Sequence, residues 1–187
     1  MAEKDKVKWN DRYSNNPIPD TPVDIVTKYA PLAAGSNALD VACGMGRHSK
    51  YLAKLGFTVD ALDISSLAID TLKSLNQEKI NAQEVDFDSY RLPEEAYDLL
   101  LCTFFLQREL FPQMIRALKP GGMLIYETFV YHPDNEQTPT VRNFLLEEGE
   151  LDKAFKEDFE VIESYEYWHE TVKGLKMKKA VFVGRKP

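Results

Sequence analysis

Short apolar runs alternate with segments of helical spacing along most of this chain. Between several of these runs, apolar residues recur every three to four positions, as they do in amphipathic helices. Strands that alternate with helices in this way predict a largely parallel sheet with helices on both of its faces. The strands are predicted over the mainly apolar residues 38–42, 57–62, 97–102 and 123–128, and a short third strand over residues 82–86 that ends at Asp86.

The C-terminal part of the chain departs from this alternation. Residues 160–170 and 177–184 resemble two strands joined by a short turn that contains Gly174, which predicts a hairpin. A hairpin at the end of a parallel sheet inserts one antiparallel strand. A helix is predicted over residues 144–155. The polar loop at 129–141, which contains Tyr131 and His132, has the length of a lid or substrate loop.

The first predicted strand ends in a glycine turn. Gly44 and Gly46 bracket Met45, and a helical segment begins at Arg47. Glycines let the backbone turn sharply and let a ligand approach without a Cβ in the way. The N–H groups at the start of the next helix favour a negative group at the same place. This order is typical of a nucleotide-type site at the edge of a parallel sheet, so we expect a ligand to lie across the turn.

Two acidic residues follow the next two strands. Asp63 lies roughly 20 residues after Gly44, the offset at which a carboxylate binds ribose hydroxyls in dinucleotide folds. Its alternative role is that of a turn aspartate capping the next helix. Asp86 is either a loop carboxylate or an acceptor for an exocyclic amino group, and in the second case Phe87 would pack on a flat ring.

Composition narrows the possible partners. The chain has 187 residues and a net charge of −7, which argues against nucleic acid as the main partner. No apolar run has the length of a transmembrane helix, and the N-terminus lacks the apolar core of a signal peptide. We therefore expect a single domain over residues 1–187, a cytoplasmic location and no membrane partner.

The two cysteines, Cys43 and Cys102, match no metal-binding spacing, so no metal is expected. We interpret them as buried apolar residues with free thiols. Because each follows or ends a predicted strand, the alternative is that both sulfurs border the ligand crevice. The aromatic run of Tyr165, Tyr167 and Trp168 is interpreted as core packing. The basic residues within 173–186 are interpreted as a solvated sheet edge, or alternatively as a docking patch for an acidic partner.

Four motifs, in order and spacing, resemble those of the class I methyltransferases that use S-adenosylmethionine. Within that class, the chain is most similar to the small tellurite-resistance-type and thiopurine-type enzymes, and the likeness covers nearly all of it. The motifs are Asp40-Val41-Ala42-Cys43-Gly44-Met45-Gly46, Asp63-Ile64-Ser65, Asp86-Phe87 and Leu118-Lys119-Pro120-Gly121-Gly122. Similar subgroup features are Trp9-x-x-Arg12-Tyr13, Phe144-Leu145-Leu146 and Glu150-Leu151.

The resemblance implies a Rossmann-like, doubly wound sheet of seven strands with the last strand antiparallel. It also implies S-adenosylmethionine as the cofactor. Residues 1–22 would form an N-terminal cap, and residues 129–157 a lid or substrate region. The implied cofactor-binding residues are Arg12, Tyr13, Asp40, Ala42, Cys43, Gly44, Gly46, Asp63, Ile64, Asp86, Phe87, Thr103 and Phe104.

The resemblance also assigns roles within this set. The two glycines would let the methionine part lie on the backbone, and Asp40 would face its ammonium group. Asp63 would accept from both ribose hydroxyls, and Ile64 would pack on the adenine. Thr103 and Phe104 would lie beside the sulfonium.

The implied activity is methyl transfer to a small-molecule acceptor, with a soft nucleophile such as a thiol or a chalcogen oxyanion favoured. Such an acceptor needs positioning and exclusion of water more than acid–base help. A hydroxyl or amine acceptor would need a base, for which His132 and Tyr131 are the candidates. His48 either faces the cofactor or lies on a helix surface, and His169 is interpreted as structural. The protein is expected to be a monomer or a homodimer.

Two alternatives belong to other classes. One is a non-catalytic S-adenosylmethionine-binding partner protein or sensor, because the chain contains no indispensable catalytic residue. The other is an NAD-dependent oxidoreductase. Ser49 stands where the dinucleotide fingerprint has its third glycine, which argues against that class.

Overall fold

A seven-stranded sheet runs through the molecule in a computed structural model that describes residues 2–16, 19–136, 141–171 and 173–187. The spatial order of the strands is β3-β2-β1-β4-β5-β7-β6. Strand β7 is antiparallel to both of its neighbours, and the other six strands share one direction. The predicted α/β fold class is therefore confirmed. The strands are β1 Asn37–Val41, β2 Thr58–Asp63, β3 Ile80–Glu84, β4 Tyr97–Thr103, β5 Leu118–Phe129, β6 Glu160–Glu170 and β7 Lys176–Arg185.

Six α-helices and three short 3₁₀ helices accompany the sheet in the described part of the chain. The α-helices are α1 Ala2–Asn15, α2 Asp24–Tyr29, α3 Arg47–Leu55, α4 Ser66–Ser74, α5 Phe111–Ala117 and α6 Glu150–Phe155. The 3₁₀ helices are Ala30–Leu32, Arg108–Leu110 and Arg142–Phe144. None of the helices in the described residues is long and apolar enough to span a membrane.

The core has an apolar layer on each face of the sheet. Along β4, Leu99 and Leu101 face one layer, while Leu100 and Cys102 face the other. This alternation explains why the strand is apolar at nearly every position, since both of its faces are covered. The polar residues at the carboxyl ends of the parallel strands therefore meet at one edge of a buried sheet.

The implied N-terminal cap begins with helix α1. Helix α1 is held against α4 through Asn10, whose Oδ1 accepts from Ser65 Oγ at 2.6 Å and from Leu67 N at 3.3 Å. Lys6 adds an ion pair to Glu84 at 2.5 Å. These partners are distant in sequence, so local composition could not indicate them.

The predicted helix over 144–155 is wrong in its first half. Leu146 is extended: its N–H donates to Phe129 O at 2.9 Å, and its carbonyl accepts from Tyr131 N at 2.8 Å. Helix α6 begins only at Glu150, after Gly149 in the left-handed region at φ 68°. Tertiary hydrogen bonds thus override the helical preference of the two leucines.

The hairpin around Gly174 is confirmed, although Val172 lies outside the described residues. The interpretation of the basic C-terminal segment as a sheet edge is wrong, because β7 lies between β5 and β6. The aromatic run is only partly core. Tyr165 and Trp168 are exposed on the outer strand β6, whereas Tyr167 packs against the core.

Candidate functional site

The glycine turn bends sharply between β1 and α3. Ala42, Gly44 and Gly46 all have positive φ, at 54°, 54° and 74°. A Cβ placed on Gly46 would lie 2.2 Å from Cδ2 of the buried Leu72 on α4. Gly46 is therefore required both by its backbone conformation and by the close approach of a neighbouring helix.

Tyr13 brings the N-terminal helix to this turn. A Cβ on Gly44 would lie 2.8 Å from the Tyr13 hydroxyl oxygen. Burial, together with the charge of Asp63, raises the pKa of that hydroxyl. Arg12 instead lies exposed, with its guanidinium 5.2 Å from the centre of the Trp9 ring. Arg12 and Tyr13 both belong to the implied cofactor-binding residues, and of these two the structure brings only Tyr13 against the turn.

Asp63 is fixed by main-chain donors on both of its oxygens. Oδ2 accepts from Gly44 N at 2.8 Å, and Oδ1 accepts from Ser65 N at 2.8 Å. The side chain is 4% exposed, and burial raises its pKa. Asp63 therefore stabilises the turn, whereas the N-cap of α4 is Ser65. Asp63 also aims a carboxylate at the first glycine, while Ile64 follows β2 and is half-buried.

Asp40 lies beneath the turn and is 1% exposed. Its Oδ2 accepts from Ser49 Oγ at 2.6 Å. Burial raises the Asp40 pKa to about 6, partly opposed by the Ser49 hydrogen bond and by the Arg47 charge. Ser49, which stands where the dinucleotide fingerprint has its third glycine, thus holds the Asp40 carboxyl in place by this hydrogen bond.

The carboxyl end of β4 lies beside that of β5. Thr103 is paired with Glu127 in the sheet, and Phe104 N donates to Glu127 O at 2.8 Å. Phe104 has φ 57°, which is strained for a residue with a large side chain. The guanidinium of Arg47 lies 5.2 Å from the centre of the Phe104 ring. The end of β4 is thereby joined to the start of α3.

His48 is buried, so its placement on a helix surface is wrong. Its Nδ1 lies 3.3 Å from Thr103 Oγ1, and Val23 N donates to its Nε2 at 3.4 Å. Burial, and then the Arg47 charge, lowers its pKa to about 3. Because Nε2 accepts, Nδ1 carries the proton and donates to the Thr103 hydroxyl. His48 therefore orients Thr103.

Asp86 forms a turn after β3. Its Oδ1 accepts from Asp88 N at 3.0 Å, and its carbonyl accepts from Tyr90 N at 2.8 Å. Phe87 is buried, with its ring centre 5.5 Å from that of Phe105. The loop-carboxylate role is therefore present, and Phe87 lies where the residues after β3 and β4 meet.

A buried polar cluster was missed by the sequence reasoning. Lys179 on β7 is 6% exposed, and its Nζ lies 3.2 Å from Oε1 of Glu127, which is 3% exposed. Tyr167 on β6 donates to the same oxygen at 2.8 Å. Lys179 Nζ also lies 4.6 Å from the centre of the Phe104 ring. The available signal was a lysine and a glutamate that each lie within a predicted, mainly apolar strand.

The cysteines are buried in different apolar clusters. Cys43 packs with Ala61, Ile69 and Leu72. Cys102 belongs to the apolar layer that also contains Leu100 of β4. Both are free thiols in the structure. Burial raises the pKa of both, that of Cys102 to about 12. The interpretation as buried apolar residues is confirmed.

Tyr131 and His132 make their contacts outside the glycine turn. The Arg142 guanidinium lies 4.1 Å from the centre of the exposed Tyr131 ring. His132 Nδ1 accepts from Asp134 N at 3.2 Å, and its ring meets the Trp168 ring edge-on at 4.9 Å. Part of this predicted lid, residues 137–140, lies outside the described residues. Within the described ranges, no group of three or more His, Cys, Asp or Glu side chains is arranged to hold a metal ion.

The strand order, the glycine turn after β1 and the carboxylate after β2 define the class. This is the Rossmann-like fold of the S-adenosylmethionine-dependent methyltransferases. The crystal structure of TehB from Haemophilus influenzae matches with a TM-score of 0.75 and 26% sequence identity, covering 97% of this chain and 67% of that one. The family model described as "Tellurite resistance protein TehB" matches residues 1–179, and the chain belongs to that family.

Two curated relatives support this placement. A probable S-adenosyl-L-methionine-dependent methyltransferase TehB from Haemophilus influenzae is 29% identical over 177 residues, covering 86% of this chain and 61% of that protein. A ubiquinone biosynthesis O-methyltransferase from Coxiella burnetii is 34% identical over 102 residues, covering 50% of this chain and 44% of that protein. The chain thus spans less than two thirds of the length of each relative.

Proposed function

We propose that this chain binds S-adenosylmethionine across the glycine turn and transfers its methyl group to a small-molecule acceptor. The observation that carries the proposal is the Asp63 carboxylate, which main-chain donors fix beside Gly44. A pre-oriented anion beside Gly44, which has no Cβ, suits a ribose whose chain extends over the glycines. The TehB family membership supports the same activity.

The charges around the turn suit this cofactor. Its ammonium and sulfonium are cationic and its carboxylate is anionic, so its net charge is positive. Asp40 is proposed to face the ammonium, and Asp63 the ribose hydroxyls. Tyr13 lies where a ligand would approach Gly44, so we propose that helix α1 shifts this side chain when the cofactor enters and then covers it.

The acceptor is proposed to lie beyond the end of β4, near Thr103 and Phe104. Bound S-adenosylmethionine supplies a methyl group already activated by its sulfonium. The chain's task is then to hold the acceptor in line with the methyl–sulfur bond and to exclude water. Phe104 forms a wall fixed by Glu127 and Lys179. A soft nucleophile such as a thiol or a chalcogen oxyanion fits, because such an acceptor needs positioning and exclusion of water more than acid–base help.

The decisive experiment measures binding and turnover separately. Calorimetry with S-adenosylmethionine, S-adenosylhomocysteine and NAD is expected to show binding of the first two only. Binding of NAD alone would overturn the proposal in favour of an oxidoreductase. A methyl-release assay over thiol, chalcogen oxyanion and amine acceptors then distinguishes an enzyme from a non-catalytic sensor. Tight cofactor binding without turnover of any acceptor class would favour the sensor.

Asp63→Ala is expected to weaken S-adenosylhomocysteine binding by about 1.5–3 kcal/mol, because charge-assisted hydrogen bonds are lost. Calorimetry on folded protein measures the effect. Asp70→Ala is the control, since it removes the charge of an exposed aspartate on α4. Equal affinities for Asp63→Ala and the wild type would exclude the ribose role.

Cofactor affinity is expected to fall below about pH 6, by up to about tenfold per pH unit. The raised Asp40 pKa of about 6 means that the free protein is protonated there at lower pH, and a neutral carboxyl attracts an ammonium poorly. The charged groups that affect Asp40 are Arg47 and Asp63. Calorimetry between about pH 5 and 7.5 measures the slope. Asp40→Asn should bind more weakly and lose the slope; an unchanged slope would assign it to another group.

A further inference from the structure

A groove of about 970 Å³ opens beside Phe87 and Leu106, next to the residues proposed for the adenine of the cofactor. Arginines also line it, but they have partners elsewhere. Arg108 pairs with Glu150 at 2.5 Å, and Arg116 with Glu94 at 3.1 Å. Arg91 donates to the carbonyls of Asp88 and Tyr90. A polar group of this groove that lacks a partner is found on another side chain.

Gln107 supplies that group. It is 9% exposed and lines the groove. Its Nε2 donates to Asp88 Oδ1 at 3.1 Å. Its Oε1 has no hydrogen-bond partner, and within the described part of the chain no other buried side-chain nitrogen or oxygen shares this state. A buried acceptor left unpaired is costly, which indicates that a ligand supplies the missing donor.

Asp88 fixes which end of the Gln107 amide is free. A carboxylate accepts hydrogen bonds but cannot donate them, so the amide nitrogen must face Asp88. The oxygen is then the end of the amide that is left without a partner. Turning the amide over would place its oxygen against the carboxylate. Gln107 is therefore restricted to a ligand group that donates.

Asp86 supports the loop on which this arrangement depends. Its Oδ1 already accepts from Asp88 N, and its carbonyl closes the turn through Ser89 N and Tyr90 N. Its carboxyl thus stabilises the loop that holds Asp88. Asp86 supports the lock, and Gln107 presents the unpaired acceptor.

We propose that Gln107 is a specificity-determining residue that recognises the exocyclic amino group of the cofactor's adenine. This inference rests on the proposed function, since it assumes an adenosyl ligand at the glycine turn. An N–H of the amino group donates to Gln107 Oε1. A base with a carbonyl oxygen at the same position would place that oxygen against Gln107 Oε1, and both are acceptors. The hydrogen bond from Gln107 Nε2 to Asp88 keeps the amide from turning over to present a donor instead.

Calorimetry with S-adenosylhomocysteine and its hypoxanthine counterpart, S-inosylhomocysteine, tests the inference. Wild type is expected to prefer the adenine compound. In Gln107→Met, which keeps the side-chain length, the ratio of the two dissociation constants is expected to fall by about tenfold, the equivalent of one hydrogen bond. Gln113→Met is the control. Gln113 lines the same groove, but its Oε1 accepts from Leu92 N, so the ratio is expected to stay unchanged.

Asp88→Asn is a second variant that keeps Gln107 in place. An asparagine amide can donate to Gln107 Oε1, so the Gln107 amide is free to turn and the ratio is again expected to fall. Equal binding of the two compounds by wild type would overturn the Gln107 role and leave the proposed function standing. So would a Gln107→Met variant that keeps the wild-type ratio while Asp86→Asn loses it. Wild type that binds neither compound would overturn the proposed function itself.

Discussion

Gly46→Ala is expected to lower the free energy of unfolding by about 2–5 kcal/mol. Two effects combine: a left-handed backbone costs about 1–2 kcal/mol for an alanine, and overpacking a filled core costs about 1–3 kcal/mol. The new Cβ would meet Leu72 Cδ2 at 2.2 Å, and Leu72 is itself buried and cannot swing away. Chemical denaturation measures the change.

Gly149→Ala separates the two effects. Gly149 has a similar φ of 68°, but a Cβ there would meet nothing within 4 Å. Only the backbone cost of about 1–2 kcal/mol is therefore expected. If both variants lose the same stability, the close approach of Leu72 to Gly46 does not matter. S-Adenosylhomocysteine binding should weaken in Gly46→Ala alone, because only that turn is proposed to carry the ligand.

The glycine turn was predictable because its signal is local. Two glycines, a strand before them and a helix after them lie within a few residues, and the backbone conformation requires glycine whatever the rest of the fold does. The positions of Asp63 and Asp86 at strand ends followed from the same periodicity. Their hydrogen bonds did not, since each carboxylate has a structural partner that only the folded turn supplies.

Residues that depend on distant partners were not predictable. His48 has polar neighbours in the sequence, and Gln107 is followed by two charged residues, so neither is marked as buried. Their burial follows from the packing of segments apart in the chain. The extended conformation at Leu146 has the same origin, because its hydrogen-bond partners are in the residues after β5. Lys179 is the clearest case. A basic residue in a basic segment indicates a solvated edge, and only the placement of β7 between two strands buries it.

Five charged side chains surround the proposed reaction centre, and all of them are buried or half-buried. Asp40 and Asp63 lie at the end of β1 and β2, and Glu127 at the end of β5. Arg47 and Lys179 both lie near the Phe104 ring, at 5.2 and 4.6 Å. The three carboxylates therefore exceed the two cations by one negative charge, which suits a ligand with one net positive charge. A buried charge that is paired imperfectly costs stability, so this arrangement favours a binding role over a purely structural one.

Lys179→Met is expected to lower the free energy of unfolding by about 3–5 kcal/mol, because it leaves Glu127 as an uncompensated buried charge. Lys178→Met is the matched control: its partner Glu166, at 2.7 Å, is more exposed, so a loss of at most about 1 kcal/mol is expected. Adding Glu127→Gln to Lys179→Met should recover most of the stability, since the amide oxygen still accepts from Tyr167 without a charge. Chemical denaturation of the wild type, the two single variants and the double variant measures these changes. Equal losses at the two lysines, or a double variant no more stable than Lys179→Met, would show that the ion pair does not control this end of the sheet.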